Sequence, residues 1–243
     1  MTDAPEVPTD SPAPSEAWLR TADRIELVAT IIMAAAAILT AWAAFQSAKW
    51  SGVQATEFSR ASAARIESTR FETRAGQLTS IDVDVFLSWL SALNDEIRSG
   101  EVPAVAGEGY TPTEGTLSAF LYQRMRAEAK PAFDAWIATR PLVNEAAPAT
   151  PFQMDEYVLV DRLAAEERLG AAEAHTDAAL SANANADAHV LTAVALALAI
   201  FFAGISSKLI DRRNRRVAII LSAVIFLGAA LVLAYLPKVQ PFS

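Results

Sequence analysis

The sequence predicts an all-α membrane protein, in which three transmembrane helices carry an extracytoplasmic helical bundle continuous with helices one and two. Three observations lead to this prediction. Three apolar runs are each long enough to cross the roughly 30 Å hydrocarbon core of a bilayer. Five basic residues lie in the short segment between the second and third runs. The chain that leaves the first run and the chain that enters the second contain no turn signal stronger than Ser51-Gly52.

The apolar runs contain no charged residue. They extend from Leu27 to Ala48, from Leu191 to Ser207 and from Val217 to Leu236. At 1.5 Å per residue, a helix of the 22 residues in the first run is about 33 Å long, which is enough to cross the bilayer. We therefore predict transmembrane helices over residues 21–48, 189–207 and 217–236.

The first run has an alternative interpretation as a cleaved signal peptide, because Ala41-Trp42-Ala43 resembles a small-x-small cleavage site. However, an acidic, proline-containing tail precedes the run, and the run is longer than the apolar core of a signal peptide. We therefore favour a retained membrane anchor. The tail itself, residues 1–20, is rich in Pro, Ser, Thr and acidic residues and is predicted to be disordered.

The segment of residues 208–216 determines the predicted orientation. Its basic residues are Lys208, Arg212, Arg213, Arg215 and Arg216. Translocation of a short loop with this charge is disfavoured, so the segment is predicted to be a basic cytoplasmic loop that contacts anionic lipids. The N-terminal tail then lies in the cytoplasm, whereas residues 49–188 and the C-terminal tail, residues 237–243, lie outside.

Residues 49–188 are predicted to form the extracytoplasmic helical domain. The first membrane helix continues outward to Leu78, and a second helix follows from Thr79 to Ile97. The apolar face of this second helix contains Ile81, Val85, Phe86, Trp89, Leu90 and Leu93. The alternative is a compact cap joined to the membrane helices by flexible linkers.

Two later helix starts follow from one local pattern. TPTE at residues 111–114 and TPFQ at residues 150–153 each place Thr at the N-cap, Pro at the first helical position and Glu or Gln two residues later. We predict a helix from Pro112 that is kinked at Pro131 and ended by Pro141. The last helix is predicted to run from residue 151 without a break into the second apolar run.

Composition and motifs point away from catalysis and from nucleic acid. Between Lys49 and Asp187 the chain has 12 basic and 21 acidic residues, a net charge of −9, which is the opposite of a nucleic-acid footprint. The chain has no cysteine. Its histidines, His175 and His189, lie about 21 Å apart along one predicted helix, too far to share a metal ion. With no phosphate loop, dinucleotide fingerprint or hydrolase motif, we predict no enzyme activity, cofactor or metal.

A row of arginines is a candidate contact site. Arg60, Arg65, Arg70 and Arg74 recur along the outward extension of the first helix, interleaved with glutamates. A solvated, salt-bridged surface is the simpler interpretation of this row. Contact with a partner or with anionic lipid is the alternative.

Small residues recur at every fourth position within the spans. One row is Ala36, Thr40, Ala44 and Ala48, and the other is Ala195, Ala199, Ala203 and Ser207. Such rows let helix backbones approach each other closely in lipid. They are expected to pack helices either within one chain or between protomers.

Four stretches carry a resemblance to known proteins. They are AWAAFQSAKWSGVQA (residues 41–55), RIESTRFETRAGQLTSIDV (65–83), AWIATRPLVNEAAPATPFQM (135–154) and AIFFAGISSKL (199–209). Together they resemble uncharacterised bacterial membrane proteins with the same three-span layout, over most of the chain beyond the N-terminal tail. The resemblance implies a bacterial inner-membrane location and implies no activity or site.

The sequence therefore favours a non-enzymatic membrane protein whose helical ectodomain acts as a scaffold, binds a partner or assembles with itself. An oligomeric channel or small-solute pore is the alternative, although the spans contain no Asp, Glu, Lys or Arg of the kind that usually marks an ion pathway. A signalling receptor is a third hypothesis, with its output through a separate protein. The expected partners are the lipid bilayer and either a second copy of the chain or another membrane protein.

Overall fold

The computed structural model describes residues 16–102, 110–141 and 143–239, with side chains described from Arg24 onward. All regular structure in this part of the chain is helical. The elements are α1 (Glu16–Ser99), α2 (Leu117–Arg124), α3 (Lys130–Ala138), a 3-10 turn (Pro151–Gln153), α4 (Val160–Ser206) and α5 (Arg212–Tyr235). The predicted helical class is confirmed, and α1, α4 and α5 are each long and apolar enough to cross a membrane.

The chain divides into two compact units. The first, here called the membrane unit, contains the described residues up to Phe58 and those from Asp177 onward, and therefore all three apolar runs. The second, here called the helical domain, is Ser59–Thr176. Both α1 and α4 are unbroken helices at the positions where the flexible linkers of a compact cap would lie.

Two predicted boundaries, at the start of the first helix and between Leu78 and Thr79, differ from those of α1. Helix α1 begins at Glu16, so residues 16–20 of the predicted disordered tail are helical, and residues 1–15 lie outside the described part of the chain. No proline follows Pro14 to interrupt a helix there. The predicted break between Leu78 and Thr79 is also wrong. The Thr79 hydroxyl donates to the Ala75 carbonyl at 3.0 Å, within the helix, instead of capping a new one.

In the membrane unit, α1 and α4 pack through buried residues at seven-residue spacing, most of them alanine. The buried positions include Ala29, Ala36 and Ala43 on α1 and Ala182, His189, Leu196 and Ala203 on α4. Ala29 clusters with Ala203 and Ala36 with Leu196, so the two helices are antiparallel. Phe226 of α5 packs against both clusters. A period of seven is the spacing of helices that wind around each other.

In the helical domain, α1 and α4 are also antiparallel. The Ser68 hydroxyl donates to the Ala165 carbonyl at 2.8 Å, and Arg74 pairs with Asp161 at 3.1 Å. The buried small residues are Ala61, Ala64, Ala75, Ala165 and Ala172. Because alanine side chains are short, they let the two backbones approach closely enough for such hydroxyl-to-carbonyl bonds.

An aromatic core fills the other end of the helical domain. Phe86 and Trp89 of α1 meet Phe133 and Trp136 of α3 edge to face, with ring centroids 5.3 to 6.5 Å apart. Such aromatic pairs add about 0.5–1.5 kcal/mol beyond their area burial. The predicted apolar face is confirmed at Phe86, Trp89 and Leu93, which are buried, and wrong at Ile81, which is 51% exposed.

The predicted helix from Pro112 is wrong in two respects. Helix α2 begins at Leu117, where the Thr116 hydroxyl caps it by accepting from the Ala119 amide at 3.2 Å. Gly115 has φ +89°, a left-handed conformation that cannot continue a helix from Pro112. Pro131 does not kink a helix either. It lies in the first turn of α3, where it removes no intrahelical hydrogen bond.

The predicted start of the last helix is also displaced. Residues 151–153 form a single 3-10 turn, and α4 begins only at Val160. Gln153 accepts from the Ala149 amide at 3.1 Å, and Thr150 makes no side-chain cap. Phe152 packs on Phe86 with ring centroids 5.8 Å apart. Phe152 is part of the aromatic core. A continuous helix from residue 151 would move Phe152 away from Phe86, and for this reason the chain remains irregular up to Val160.

Replacing Ala172 by Leu is expected to lower the free energy of unfolding by about 1–3 kcal/mol, because it overpacks a closed helix contact. Ala172 is 0% exposed on the α4 face that also carries Ala165. The matched control is Ala174→Leu on the exposed face of the same helix, which we expect to change the free energy by no more than about 0.5 kcal/mol. Thermal and denaturant unfolding in detergent, followed by circular dichroism, measures both. Equal effects of the two variants would contradict the small-residue contact.

Candidate functional site

The basic segment forms the turn between α4 and α5 and the beginning of α5, not a loop over residues 208–216. Helix α4 ends at Ser206, and α5 begins at Arg212. The Asp211 carboxylate caps α5 by accepting from the Arg213 amide at 3.2 Å. The four arginines, Arg212, Arg213, Arg215 and Arg216, therefore lie in the first two turns of α5, and Lys208 lies in the turn before them. An N-cap Asp is a sequence signal that marks this boundary.

Ile210 at this turn received no role from the sequence pattern. It is completely exposed, at 101% of its reference surface, between Lys208 and the α5 N-cap. An isoleucine is unusual in an otherwise polar turn. This departure is the sequence signal that could have identified Ile210. Its position next to the basic residues places one apolar side chain within a cationic surface.

Only part of the small-residue row predicted on α1 contacts another helix. Ala36 is fully buried, and the Thr40 hydroxyl donates to the Ala36 carbonyl at 2.7 Å. Ala44 and Ala48 are exposed, whereas Ala43 is buried. A four-residue step turns the side chain by about 40° around the helix, so the row leaves the contact face that a seven-residue period follows.

Ala44 and Ala48 instead line an open groove of about 450 Å³. The other lining residues are Ser47, Val190, Ala193, Val194 and Ala197. The row predicted on α4 fits the structure better. Ala199 and Ala203 are fully buried, Ala195 packs beside Leu196, and Ser207 is half-buried. The Ser222 hydroxyl of α5 donates to the Ala199 carbonyl at 2.7 Å, so this row joins α4 to α5.

The arginine row is divided between intramolecular contacts and open surface. Arg74 pairs with Asp161 at 3.1 Å, and Arg65 donates to the Thr176 hydroxyl at 3.4 Å. Arg70 is exposed, and Arg60 also has an interaction within the chain. A further ion pair, between Glu67 of α1 and Arg168 of α4 at 3.2 Å, links the same two helices. For Arg65 and Arg74, these contacts fit the simpler interpretation of a salt-bridged surface.

Asp82 is the centre of a polar cluster that the sequence pattern did not reveal. Its carboxylate is 3% exposed and accepts two hydrogen bonds from Arg126, at 2.9 and 3.2 Å, and one from the Tyr157 hydroxyl at 3.0 Å. Glu128 also pairs with Arg126, at 3.0 Å. The hydrogen bond to Asp82 raises the pKa of Arg126, and burial raises the pKa of Tyr157. The cluster attaches two chain segments to α1, the connection between α2 and α3 and the segment before α4.

Glu96, two turns beyond Trp89 on α1, forms a second buried cluster. Its carboxylate accepts from the Ser118 amide at 2.8 Å and from the Ser118 hydroxyl at 2.5 Å. Tyr110 and Ser118 share a hydrogen bond of 2.9 Å. A carboxylate, a serine and a tyrosine in series resemble a nucleophile with its base. However, Ser118 is 0% exposed, so in this conformation the group caps the N-terminus of α2 and reaches no substrate.

The C-terminal segment is held at one end of the membrane unit by three side chains, here called the C-terminal clasp. Gln46 accepts from the Val239 amide at 2.9 Å and donates to the Val239 carbonyl at 3.3 Å. Trp50 Nε1 and His189 Nε2 both reach the Pro237 carbonyl, at 3.1 and 3.0 Å. Gln46 and His189 are 1% and 0% exposed. All four bonds recognise backbone, which a sequence pattern cannot reveal.

The fold also changes the acid–base behaviour of Tyr122 on α2. Burial, together with a hydrogen bond to Asp134, raises the pKa of Tyr122 to about 12. Lys130 lies over its ring, 4.4 Å from the centroid. In the unfolded chain the phenol ionises near its ordinary pKa of about 10. The folded state therefore loses stability as the pH rises from about 10 through about 12.

Comparisons with known proteins give no relative from which to read a function. No family model, no curated protein and no solved structure matches the chain.

Replacing Asp134 by Asn is expected to lower the pKa of Tyr122 from about 12 toward 10. The value should remain above 10, because burial is the largest cause and is unchanged. Phenolate absorbance as a function of pH measures the shift, and Tyr122→Phe identifies the transition. Asp155→Asn, an exposed acid on another segment, is the control. A titration that is the same in Asp134→Asn and in the parent chain would contradict this account.

Proposed function

We propose that the chain is a non-enzymatic scaffold of the bacterial inner membrane that assembles with itself through its helical domain. The observation that supports this function is apolar surface outside the membrane-spanning segments. In the helical domain, Leu87 of α1 is 55% exposed, and Leu117 and Phe120 of α2 are 58% and 52% exposed. Leu117 and Phe120 lie three residues apart on α2, so their exposed surfaces adjoin, and a contiguous apolar patch in water marks an interaction site.

Leu87 belongs to a groove of about 450 Å³ on α1. The other lining residues are Leu90, Ser91, Leu93, Asn94 and Ile97. From Leu87 to Ile97 the helix rises about 15 Å, which is the length of a short helix. The groove therefore fits one apolar helix face of two or three turns.

We assign the groove to helix α2 of a second copy. Its eight residues span about 12 Å, and its exposed Leu117 and Phe120 supply the apolar face. Arg124 lies over the Phe120 ring at 4.9 Å from the centroid, and the exposed Asp84 and Asp95 flank the groove. An α2 helix in the groove would thus place its cation near two carboxylates. Confinement to one membrane raises the local concentration of copies and favours such a contact.

Leu87→Ser and Phe120→Ser are each expected to weaken self-association by about tenfold or more, because each removes a large apolar side chain from the contact. Cross-linking and mass measurement of the full chain in lipid nanodiscs quantify the oligomer. The matched control is Leu163→Ser, which changes a leucine that is 56% exposed on α4, away from the groove. A monomeric parent chain, or an oligomer that is equally populated in all three variants, would contradict the proposal. Conductance of the oligomer in planar bilayers would favour the channel alternative.

The proposed orientation places the helical domain and the C-terminus outside the cell and the basic segment in the cytoplasm. The C-terminal clasp supports this arrangement, because Pro237 and Val239 bind side chains at the end of the first and second spans from which the helical domain continues in sequence. The basic segment follows the other end of α4. The positive charge of that segment is the argument for its cytoplasmic side.

Single cysteines test this orientation, since the chain has none of its own. In intact spheroplasts a membrane-impermeant maleimide is expected to label Ser88→Cys and to label Asn214→Cys only after permeabilisation. Both positions are exposed, so the two reactions differ only in the side of the membrane. The reverse labelling pattern would overturn the orientation while leaving the self-assembly measurement unaffected.

A further inference from the structure

We propose that the C-terminal clasp is a binding site for the main chain of an extended peptide, which residues 237–239 occupy in this structure. The four hydrogen bonds of the clasp all go to main-chain atoms, so an extended segment of another protein chain can replace this one. The inference adds a peptide-binding site to the proposed scaffold, and it does not rest on self-assembly.

Gln46 binds both polar main-chain groups of Val239. Its side-chain oxygen accepts from the Val239 amide at 2.9 Å, and its side-chain nitrogen donates to the Val239 carbonyl at 3.3 Å. A residue on a neighbouring antiparallel strand forms the same two bonds through its own N–H and C=O. Gln46 therefore offers the donor and the acceptor that an extended peptide needs when it binds through its main chain.

Two further donors determine the spacing of the site. Trp50 Nε1 and His189 Nε2 reach the Pro237 carbonyl at 3.1 and 3.0 Å, and the two lone pairs of a carbonyl oxygen can accept both bonds. In an extended chain, the polar main-chain groups of residues i and i+2 lie on the same edge. Pro237 and Val239 have this spacing. A proline therefore suits the first position, which needs only a carbonyl, but not the second, which needs an N–H.

The bound segment is separate from helix α5. The Leu236 amide donates to the Val232 carbonyl at 3.0 Å, which completes the last turn of α5 without the clasp. The Lys238 side chain donates to another carbonyl of α5, at 3.3 Å, and Pro237 and Lys238 are both exposed. Release of residues 237–239 from the clasp therefore leaves the last turn of α5 intact.

An empty clasp is unfavourable, which favours exchange of one peptide for another. Gln46 and His189 are 1% and 0% exposed, and buried polar side chains without hydrogen-bond partners are strongly disfavoured. Because their partners are main-chain groups, a second main chain satisfies them as well as the first. The segment of the chain itself has the advantage of covalent attachment, which raises its effective concentration. A separate peptide therefore binds best when this attached competitor is weakened.

The experiment uses the full chain in lipid nanodiscs and a fluorescent, end-capped peptide of residues 236–240, whose anisotropy reports binding. Val239→Pro in the chain removes the N–H that Gln46 accepts and so weakens the attached competitor. We expect the peptide to bind this variant about tenfold or more tightly than it binds the parent chain. Val239→Ala keeps the N–H, so this matched control should bind the peptide as weakly as the parent chain does.

Variant peptides test main-chain recognition without any further change in the protein. The peptide of the native sequence represents a second copy of the chain, and a peptide with Lys238→Ala and Val239→Ala represents a different protein. Both should bind the Val239→Pro chain equally well. A peptide that itself carries Val239→Pro should bind about tenfold more weakly or worse. Binding of the native sequence alone, or equal binding of the proline-substituted peptide, would overturn the inference.

A change in the clasp itself provides the last test. Gln46→Leu, combined with Val239→Pro, is expected to abolish peptide binding, whereas Gln54→Leu in the same background should retain it. Circular dichroism establishes that both variants fold. Equal binding by these two variants, or no binding of the native peptide to the Val239→Pro chain, would contradict the proposed site. Neither result depends on the oligomeric state, so failure here is separate from failure of self-assembly.

Discussion

The size of the residue at every seventh position of α1 is the constraint on which the helical domain depends. Ala61 and Ala75 are fully or nearly fully buried, and Ser68 between them reaches the Ala165 carbonyl of α4. About four turns beyond Ala75 on the same face, Trp89 is 2% exposed and meets the ring of Phe133. Where the residue is small, α4 packs directly on α1. Where it is large, a layer of aromatic residues from α3 and the 3-10 turn takes the place of α4.

Two carboxylates on that same seven-residue series fix where the aromatic layer attaches. Asp82 precedes Trp89 and Glu96 follows it, and both are less than 10% exposed. Each takes a partner from the chain that precedes this layer, Asp82 from Arg126 between α2 and α3 and Glu96 from Ser118 of α2. A buried carboxylate without its partner is strongly unfavourable, and loss of one partner of such a pair typically costs about 3–5 kcal/mol. A layer displaced along α1 would leave both carboxylates unpaired, so the aromatic core has one register.

The sequence predicts the helices correctly where one local pattern dominates. It predicts their boundaries incorrectly where tertiary contacts determine the conformation. The charge-free runs predicted the three long apolar helices, because crossing a bilayer requires an uninterrupted apolar length. The helix from Pro112 failed because Gly115 takes a left-handed conformation that the TPTE pattern does not reveal. Thr79 is equally able to cap a helix or to bond within one, and only the structure distinguishes these. For the site, the sequence pattern identified the arginines, but it did not identify Ile210 or the Asp211 N-cap.

The C-terminal clasp could not be predicted because its partners are between 48 and 193 residues apart in the chain. Its position nevertheless explains two residues that do not suit an apolar unit. Gln46 and His189 are buried polar side chains, which are unfavourable in lipid or protein unless they are hydrogen-bonded. The Pro237 carbonyl can only accept, so His189 Nε2 carries the proton in this contact.

These partners reach Gln46 and His189 because α5 brings Pro237 and Val239 to them. An arrangement of α1 and α4 alone would leave a buried amide and imidazole without these hydrogen bonds. The third span is therefore not an independent addition to a two-helix hairpin. Gln46 and His189 make the packing of α1 and α4 in the membrane unit depend on α5.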